Sequence, residues 1–275
     1  MKKLTVKEIE KKANEIRKDI IKMLVEAGSG HAAGSLGMAD VFASLYFGGV
    51  MRYNSKRPEW EERDRLVLSA GHICPVLYAT MAEAGFFEKK ELLTLRKLGS
   101  RLQGHPYRLS LPGVETSSGP LGQGFCVAVG MALAGRMDNK NWRVFLITSD
   151  GEHDEGMTWE GVMFAAKYKL SNLIALMDRN DIQIDGRTRE VMPLEPLVEK
   201  YRAFNWQVYE IDGHNIKKII ETIKLAKKEK MRPTMIICKT IPGKGVSFIE
   251  GDYHWHGRAP TVEEGQRALK ELGDL

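Results

Sequence analysis

The chain has 275 residues, 43% hydrophobic and 28% charged, with a formal net charge of +5. That length can bury a large core, as one big α/β domain or two small ones, and the composition is that of an ordinary soluble globular protein. No apolar run reaches membrane-spanning length, and residues 1–8 begin a charged amphipathic helix in place of a signal-peptide apolar region. The three cysteines, Cys74, Cys126 and Cys238, are widely spaced in apolar surroundings. Neither a disulfide framework nor a zinc site is expected, and a reducing cytoplasm is the expected compartment. The positive charge is spread along the chain, and its densest run, residues 217–230, reads as a solvated helix face. Nucleic acid is therefore not an expected partner, whereas anionic small substrates suit a mildly basic surface.

In chain order, residues 4–27 carry Ile9, Ala13, Ile16, Ile20, Met23 and Leu24 at helical spacing and predict a long amphipathic helix. Gly28-Ser-Gly30 ends it, and His31 follows at once. Residues 32–37 are small and read as a loop that lets a ligand approach the backbone, ahead of a helix over 38–47. A short strand is expected at 65–70, closed by Gly71-His72, with a helix over 75–84. Another helix is expected at 89–98, followed by His105 in Gln103-Gly-His-Pro106. One histidine in a loop is more often structural than functional. Three in Gly-flanked loops are harder to dismiss, because turns do not need imidazole. Residues 112–124 are a Gly-rich loop, and 125–137 an Ala/Gly-rich helix whose first N–H groups suit an anion. The loop lacks both the lysine of a P-loop and Rossmann glycine spacing.

The central stretch runs from Trp142 to Gly186. A strand at 142–148, a turn at Ser149-Asp-Gly151, a helix at 157–169 and a strand at 172–178 form a βαβ unit. Asp150 and Asn180 each fall just past the carboxyl end of a strand, where open parallel sheets bind ligands. Aspartate and asparagine are also ordinary turn formers. Together, however, a carboxylate and a carboxamide are hard oxygen donors suited to Mg²⁺, which prefers a few protein oxygens plus substrate phosphates. After a turn at 183–186 come a helix at 193–204, a strand at 206–211, Asp212-Gly-His214-Asn215 capping a helix at 216–228, and a strand at 234–240. A loop at 241–245, a segment with His254 and His256, and a short helix at 261–275 complete the chain. No repeat or linker is evident, so a single domain over 1–275 is the simplest organisation. Strands separated by helices predict an α/β fold, a parallel sheet of about five strands with helices on both faces. One edge of it would carry His72, Asp150, Asn180, His214 and Lys244.

Several motifs then fall in one order along nearly the whole chain: Ser29-Gly-His31, Leu36-Gly-Met-Ala-Asp40, Ser69-Ala-Gly-His72, Gly104-His-Pro106, Gly119-Pro-Leu-Gly-Gln-Gly124, Asp150-Gly151 with Glu155-Gly156, Asn180-Asp-Ile-Gln-Ile-Asp-Gly186, and His256-Gly257. Together they resemble the diphosphate-binding half of transketolase, with Ser149 where that family usually has glycine. The chain stops where a pyrimidine-binding domain would begin, and so resembles the N-terminal subunit of a split transketolase. The resemblance implies the thiamin diphosphate-binding fold, with thiamine diphosphate and Mg²⁺ (or Ca²⁺ or Mn²⁺) as cofactors. It implies Asp150, the Asn180 side chain and the Ile182 carbonyl as metal ligands, with Gly151 permitting close approach. His72, Gly119, Leu121 and Gly122 would line the cofactor, and Glu155 would communicate across the interface between subunits.

By the same resemblance His31, His72, His105 and one of the terminal pair would ring the thiazolium and the sugar. His256 matches better because Gly257 and Pro260 follow it, but the spacing to His254 is one residue short, and both stay candidates. The implied reaction is transfer of a two-carbon ketol unit from a ketose phosphate to an aldose phosphate, as in the pentose phosphate pathway. The groups that activate the aminopyrimidine and grip the sugar phosphate are expected on a C-terminal partner subunit, in a two-plus-two heterotetramer. Two other readings stand beside this one. The first is a subunit of a 2-oxo-acid dehydrogenase or deoxyxylulose-phosphate synthase type of enzyme. The second is a non-catalytic α/β binding module, which predicts damaged ligands, whereas Asp150, Asn180 and the histidines are intact.

Overall fold

The computed structural model describes residues 4–274, so the expected helical start at residues 1–3 and the last residue of the closing helix lie outside it. The elements are α1 (Val6–Ala27), α2 (Ala33–Gly37), α3 (Ala39–Phe47), β1 (Arg65–Leu68), α4 (Cys74–Glu83), α5 (Gln123–Met137), β2 (Val144–Ser149), α6 (Gly156–Lys167), β3 (Leu173–Arg179), α7 (Thr188–Val191), α8 (Leu197–Ala203), β4 (Gln207–Asp212), α9 (Ile216–Ala226), β5 (Thr234–Lys239) and α10 (Val262–Glu271). Helix α1 begins with a capping box in which the Thr5 side chain accepts from the Glu8 amide and Glu8 reaches back to the Thr5 amide. Two orphan donors are thereby satisfied. No helix among the described residues is long and apolar enough to cross a membrane.

The five strands pair in the order β1-β2-β3-β5-β4, every pair parallel. Side chains alternate across the sheet. Phe145, Ile147, Ile174, Leu176 and Ile236 join a core with α1, α3, α4 and α9, while Val144, Leu146, Ala175, Met177 and Ile237 join another with α5, α6 and α8. Because both faces are covered, the central strands are near-continuous apolar runs and not alternating ones. The predicted architecture is the one observed.

Three local expectations differ. The helix expected at 89–98 is only a 3₁₀ turn, Lys89–Thr94. Arg96 and Gly99 adopt positive φ of 62° and 77°, which no helix continues through. The helix expected at 193–204 starts only at Leu197, because Pro193 and Pro196 bias the residues before them away from helical geometry. The small-residue loop at 32–37 is largely a fully buried helical turn, α2. A Cβ on Gly37 would lie 2.9 Å from the Ile241 carbonyl oxygen, so the small residues serve backbone packing there.

Trp206 anchors the second core. It is 1% exposed, its indole N–H donates to the Val162 carbonyl at 3.0 Å, and its ring lies 6.3 Å from Phe125 and 5.3 Å from Tyr201. Replacing it with alanine removes one of the largest buried side chains and should cost about 3–5 kcal/mol. Urea unfolding of Trp206→Ala checks this, and a loss below about 1 kcal/mol would contradict the packing described.

Candidate active site

Strand pairing brings the two central loops together. In the β2–β3 register Ser149 lies opposite Asp178, and the Asp150 amide donates to the Asp178 carbonyl at 3.1 Å. The next residues, Asp150 and Arg179-Asn180, therefore leave the sheet side by side. Asp150 is 1% exposed. Its Oδ1 accepts the Gly151 amide at 2.8 Å, and its Oδ2 accepts the Asp181 amide at 2.7 Å and the Arg179 guanidinium at 2.9 Å. Burial raises its carboxyl pKa, opposed mainly by Arg179. The Asn180 amide nitrogen donates to Asp178 Oδ2 at 2.7 Å, and its oxygen accepts the Ile182 amide at 3.0 Å. The amide is thereby held in one orientation, with a carboxylate behind its nitrogen.

These residues line one cavity of about 280 Å³ with His31, His72, Gly119, Leu121, Ser149, Gly151, Ile182, Gln183, Ile184, Asp185 and His256. A larger surface hollow at residues 57–62 and Pro112 has no strand end and no histidine. Around the cavity four imidazoles from four separate loops converge. The His31 ring centroid lies 5.1 Å from His72, 6.5 Å from His105 and 5.7 Å from His256, and His72 lies 5.2 Å from His256. His105 stands behind Gly119, where an added Cβ would meet its ring at 3.8 Å. The Nδ1 of His31 is buried with no hydrogen-bond partner among the described residues.

His254 is not brought to this group. Asp252 caps the 3₁₀ turn Tyr253–Trp255, accepting from the His254 amide at 3.0 Å and pairing with His254 Nδ1 at 2.7 Å. The His254 ring stacks on Tyr253 at 4.1 Å in solvent, while the turn carries His256 inward. Glu155 is exposed beside Gly122, whose added Cβ would lie 3.2 Å from the Glu155 Cβ. Gly122 itself has φ 80° and its amide donates to Glu152 Oε1 at 2.7 Å.

No pattern in the sequence singles out Glu152. It is fully buried and also accepts from the Ser69 and Thr148 hydroxyls, so one carboxylate ties the end of β1, β2 and the Gly119–Gly124 loop together. His153 is a second such residue. Its Nδ1 lies 2.8 Å from the Ser149 carbonyl and its Nε2 2.7 Å from the Tyr201 hydroxyl. The carbonyl accepts only, so Nδ1 carries the proton, and the tyrosine donates to Nε2. Its burial, which lowers its pKa to about 4, is not written in any local pattern.

The donor set suits a hard divalent cation. Among the described residues no group of three or more His, Cys, Asp or Glu is placed to hold a metal. Asp150, the Asn180 oxygen and the Ile182 carbonyl are all hard oxygens, few enough to leave positions for phosphate oxygens. Asp150 Oδ1 accepts only one N–H, leaving acceptor capacity.

At the ends of β2 and β3 the parallel sheet thus presents hard-oxygen donors with imidazoles beside them. Residues 9–273 match the family described as "Transketolase, thiamine diphosphate binding domain". The chain is 45% identical over 265 residues to the 6-deoxy-6-sulfo-D-fructose transketolase subunit SqwG of Clostridium sp. (strain MSTE9), covering 96% of each. It is 38% identical to an apulose-4-phosphate transketolase subunit of Phocaeicola vulgatus, covering 98% of this chain and 96% of that one. It superposes on a transketolase of Pichia stipitis in complex with sedoheptulose 7-phosphate with a TM-score of 0.92 at 32% identity, covering 96% of this chain and 40% of that one. The chain belongs to the transketolase thiamine diphosphate-binding family, and thiamine diphosphate is its cofactor.

The histidine cluster is electrically neutral at pH 7. Burial, followed by the neighbouring imidazoles and Arg96, lowers His31 from 6.5 to about 4. Burial also lowers His72 strongly, and His105 and His256 in the same direction. In the unfolded chain these imidazoles bind protons as pH falls through 6.5, whereas in the folded chain they resist. The stability contributed by their neutrality is therefore fully present above about 6.5 and lost as pH falls toward 4. Urea unfolding at pH 7 and pH 5 should show a steeper loss in the wild type than in a His31→Gln/His72→Gln variant. Equal losses would contradict a buried neutral cluster.

Proposed function

We propose that this chain is the diphosphate-holding subunit of a two-chain transketolase, acting with a C-terminal partner subunit in a two-plus-two assembly. The reaction is transfer of a two-carbon ketol unit from a ketose phosphate to an aldose phosphate. The observation that carries the reading is the ring of four neutral imidazoles beside the Asp150 and Asn180 strand ends, with His31 Nδ1 buried and unpartnered among the described residues. Thiamine diphosphate, when bound, supplies the electron sink that C–C bond cleavage requires. Asp150, the Asn180 side chain and the Ile182 carbonyl would hold Mg²⁺ and through it the diphosphate. Gly119 and Leu121 line the cavity beside them, and Leu121 and Ile182 keep its wall apolar.

Each neutral imidazole offers one donor and one acceptor. His31, His72, His105 and His256 can therefore orient the hydroxyls and carbonyl of a hydroxyketone and carry a proton between its oxygens. The His31 and His256 rings meet edge to face with centroids 5.7 Å apart, and His72 lies within 5.2 Å of both. The names of two full-coverage relatives, both subunits, support a partner on a separate chain. Those names also point to donors beyond pentose phosphates. Three free thiols suit a reducing cytoplasm.

The test is ketol transfer by the purified chain with thiamine diphosphate and Mg²⁺, alone and mixed with a candidate partner. Xylulose 5-phosphate and 6-deoxy-6-sulfofructose serve as donors and ribose 5-phosphate as acceptor. Turnover is expected only in the mixture and is abolished by Asp150→Ala. His256→Asn should lower kcat about 10²-fold or more, whereas His254→Asn stays within a few-fold of wild type. Turnover by the isolated chain would sink the two-chain reading.

A further inference from the structure

Arg179 is the last residue of β3, directly before Asn180, and the ketol-transfer reading gives it no task. Its guanidinium lies between two carboxylates. Nη1 donates to Asp150 Oδ2 at 2.9 Å and Nη2 to Glu195 Oε1 at 3.1 Å, with Asp181 Oδ1 3.7 Å from Nη1. The Arg179 and Asp150 side chains are 13% and 2% exposed, whereas Glu195 is 63% exposed. The inner contact is thus the buried one, and a fixed cation balances the Asp150 charge.

A divalent ion ligated by Asp150 must share that carboxylate with a guanidinium. Two positive charges on one buried anion repel strongly where water screens little. A diphosphate changes the balance, because it adds negative charge and because guanidinium is well matched to phosphate oxygens. We propose that Arg179 makes divalent-ion binding depend on the diphosphate. It satisfies Asp150 in the ligand-free chain, resists a metal ion that arrives alone, and ceases to resist when ion and diphosphate are present together. The device keeps a buried carboxylate from being either unpaired or filled by stray cation. It rests on the assignment of Asp150 as a metal ligand.

The probe is Mn²⁺, titrated by water-proton relaxation into the full chain without and with saturating inorganic pyrophosphate. Wild type should bind Mn²⁺ weakly alone and about tenfold or more tightly with pyrophosphate. In Arg179→Met the affinity for Mn²⁺ alone should rise about tenfold and the gain from pyrophosphate should shrink correspondingly, while Arg179→Lys should keep most of the wild-type coupling. Arg179→Gln, neutral but still a donor to Asp150, gives the same reading if the methionine variant does not fold. Without metal, Arg179→Met should melt below wild type, and Mn²⁺ should raise its melting temperature by more than it raises that of wild type. Asp150→Ala separates the two layers of the argument. Wild-type Mn²⁺ binding by Asp150→Ala would overturn the metal-ligand assignment itself. Loss of binding in Asp150→Ala, with no tighter binding of Mn²⁺ alone in the neutral Arg179 variants, would overturn the role of Arg179 and leave that assignment standing.

Discussion

Burying an anion at the end of a central strand is costly unless donors and a cation converge on it, and the Asp150 carboxylate is 2% exposed at the end of β2. The surrounding structure meets that requirement from several directions. The amides of Gly151 and Asp181 and the guanidinium of Arg179 all donate to it. The last two come from β3 and the loop after it, so they reach Asp150 only if β2 and β3 pair in the observed register. That register also brings out Asn180, whose orientation is held by Asp178, itself accepting from the Thr240 hydroxyl after β5. Three strand ends are thus locked around one charge.

The imidazole ring depends on a second set of ties between distant loops. The Cys74 thiol donates to the Gly104 carbonyl at 3.1 Å and the Tyr78 hydroxyl to the Gln103 carbonyl at 2.9 Å, which fixes the loop of His105 to the helix that follows His72. The Gly243 amide donates to the Ala33 carbonyl at 2.8 Å, joining the exit from β5 to the turn that follows His31. Beneath it, Asp40 accepts from Arg17 at 2.5 Å and from His214 Nδ1 at 2.8 Å, and His214 Nε2 accepts the Ile241 amide at 2.8 Å. That histidine, which the sequence marks only as a strand-end residue, serves as a half-buried strut. These ties convert flexible loops into a rim on which uncharged imidazoles can be held at fixed spacing.

The functional edge therefore combines two different electrostatic regimes. On one side stand fixed charges and hard oxygens suited to a divalent ion and a diphosphate. On the other stand imidazoles kept neutral by burial and by one another, suited to the hydroxyls of a sugar. The chain spans nearly the whole length of its two subunit relatives and 40% of the full-length transketolase it superposes on.

Much of this was legible in the amino-acid order, because its signals are local. Apolar runs of strand length, helical spacing between them and turn residues at their ends gave the α/β class, Asp150, Asn180 and His72 could be marked just past strand runs, and His31 and His105 by their Gly-flanked loops. Other features depend on which distant segments meet. Gly257 and Pro260 favour His256 without removing His254, whereas the insertion of β5 between β3 and β4, the burial of Glu152 and the contact of Arg179 with Asp150 have no local pattern. The same holds for the lowered histidine pKa values, which come from desolvation and mutual proximity. Spacing along a chain determines what each segment can become. Burial and charge pairing are properties of the packed whole, and only the tertiary structure decides them.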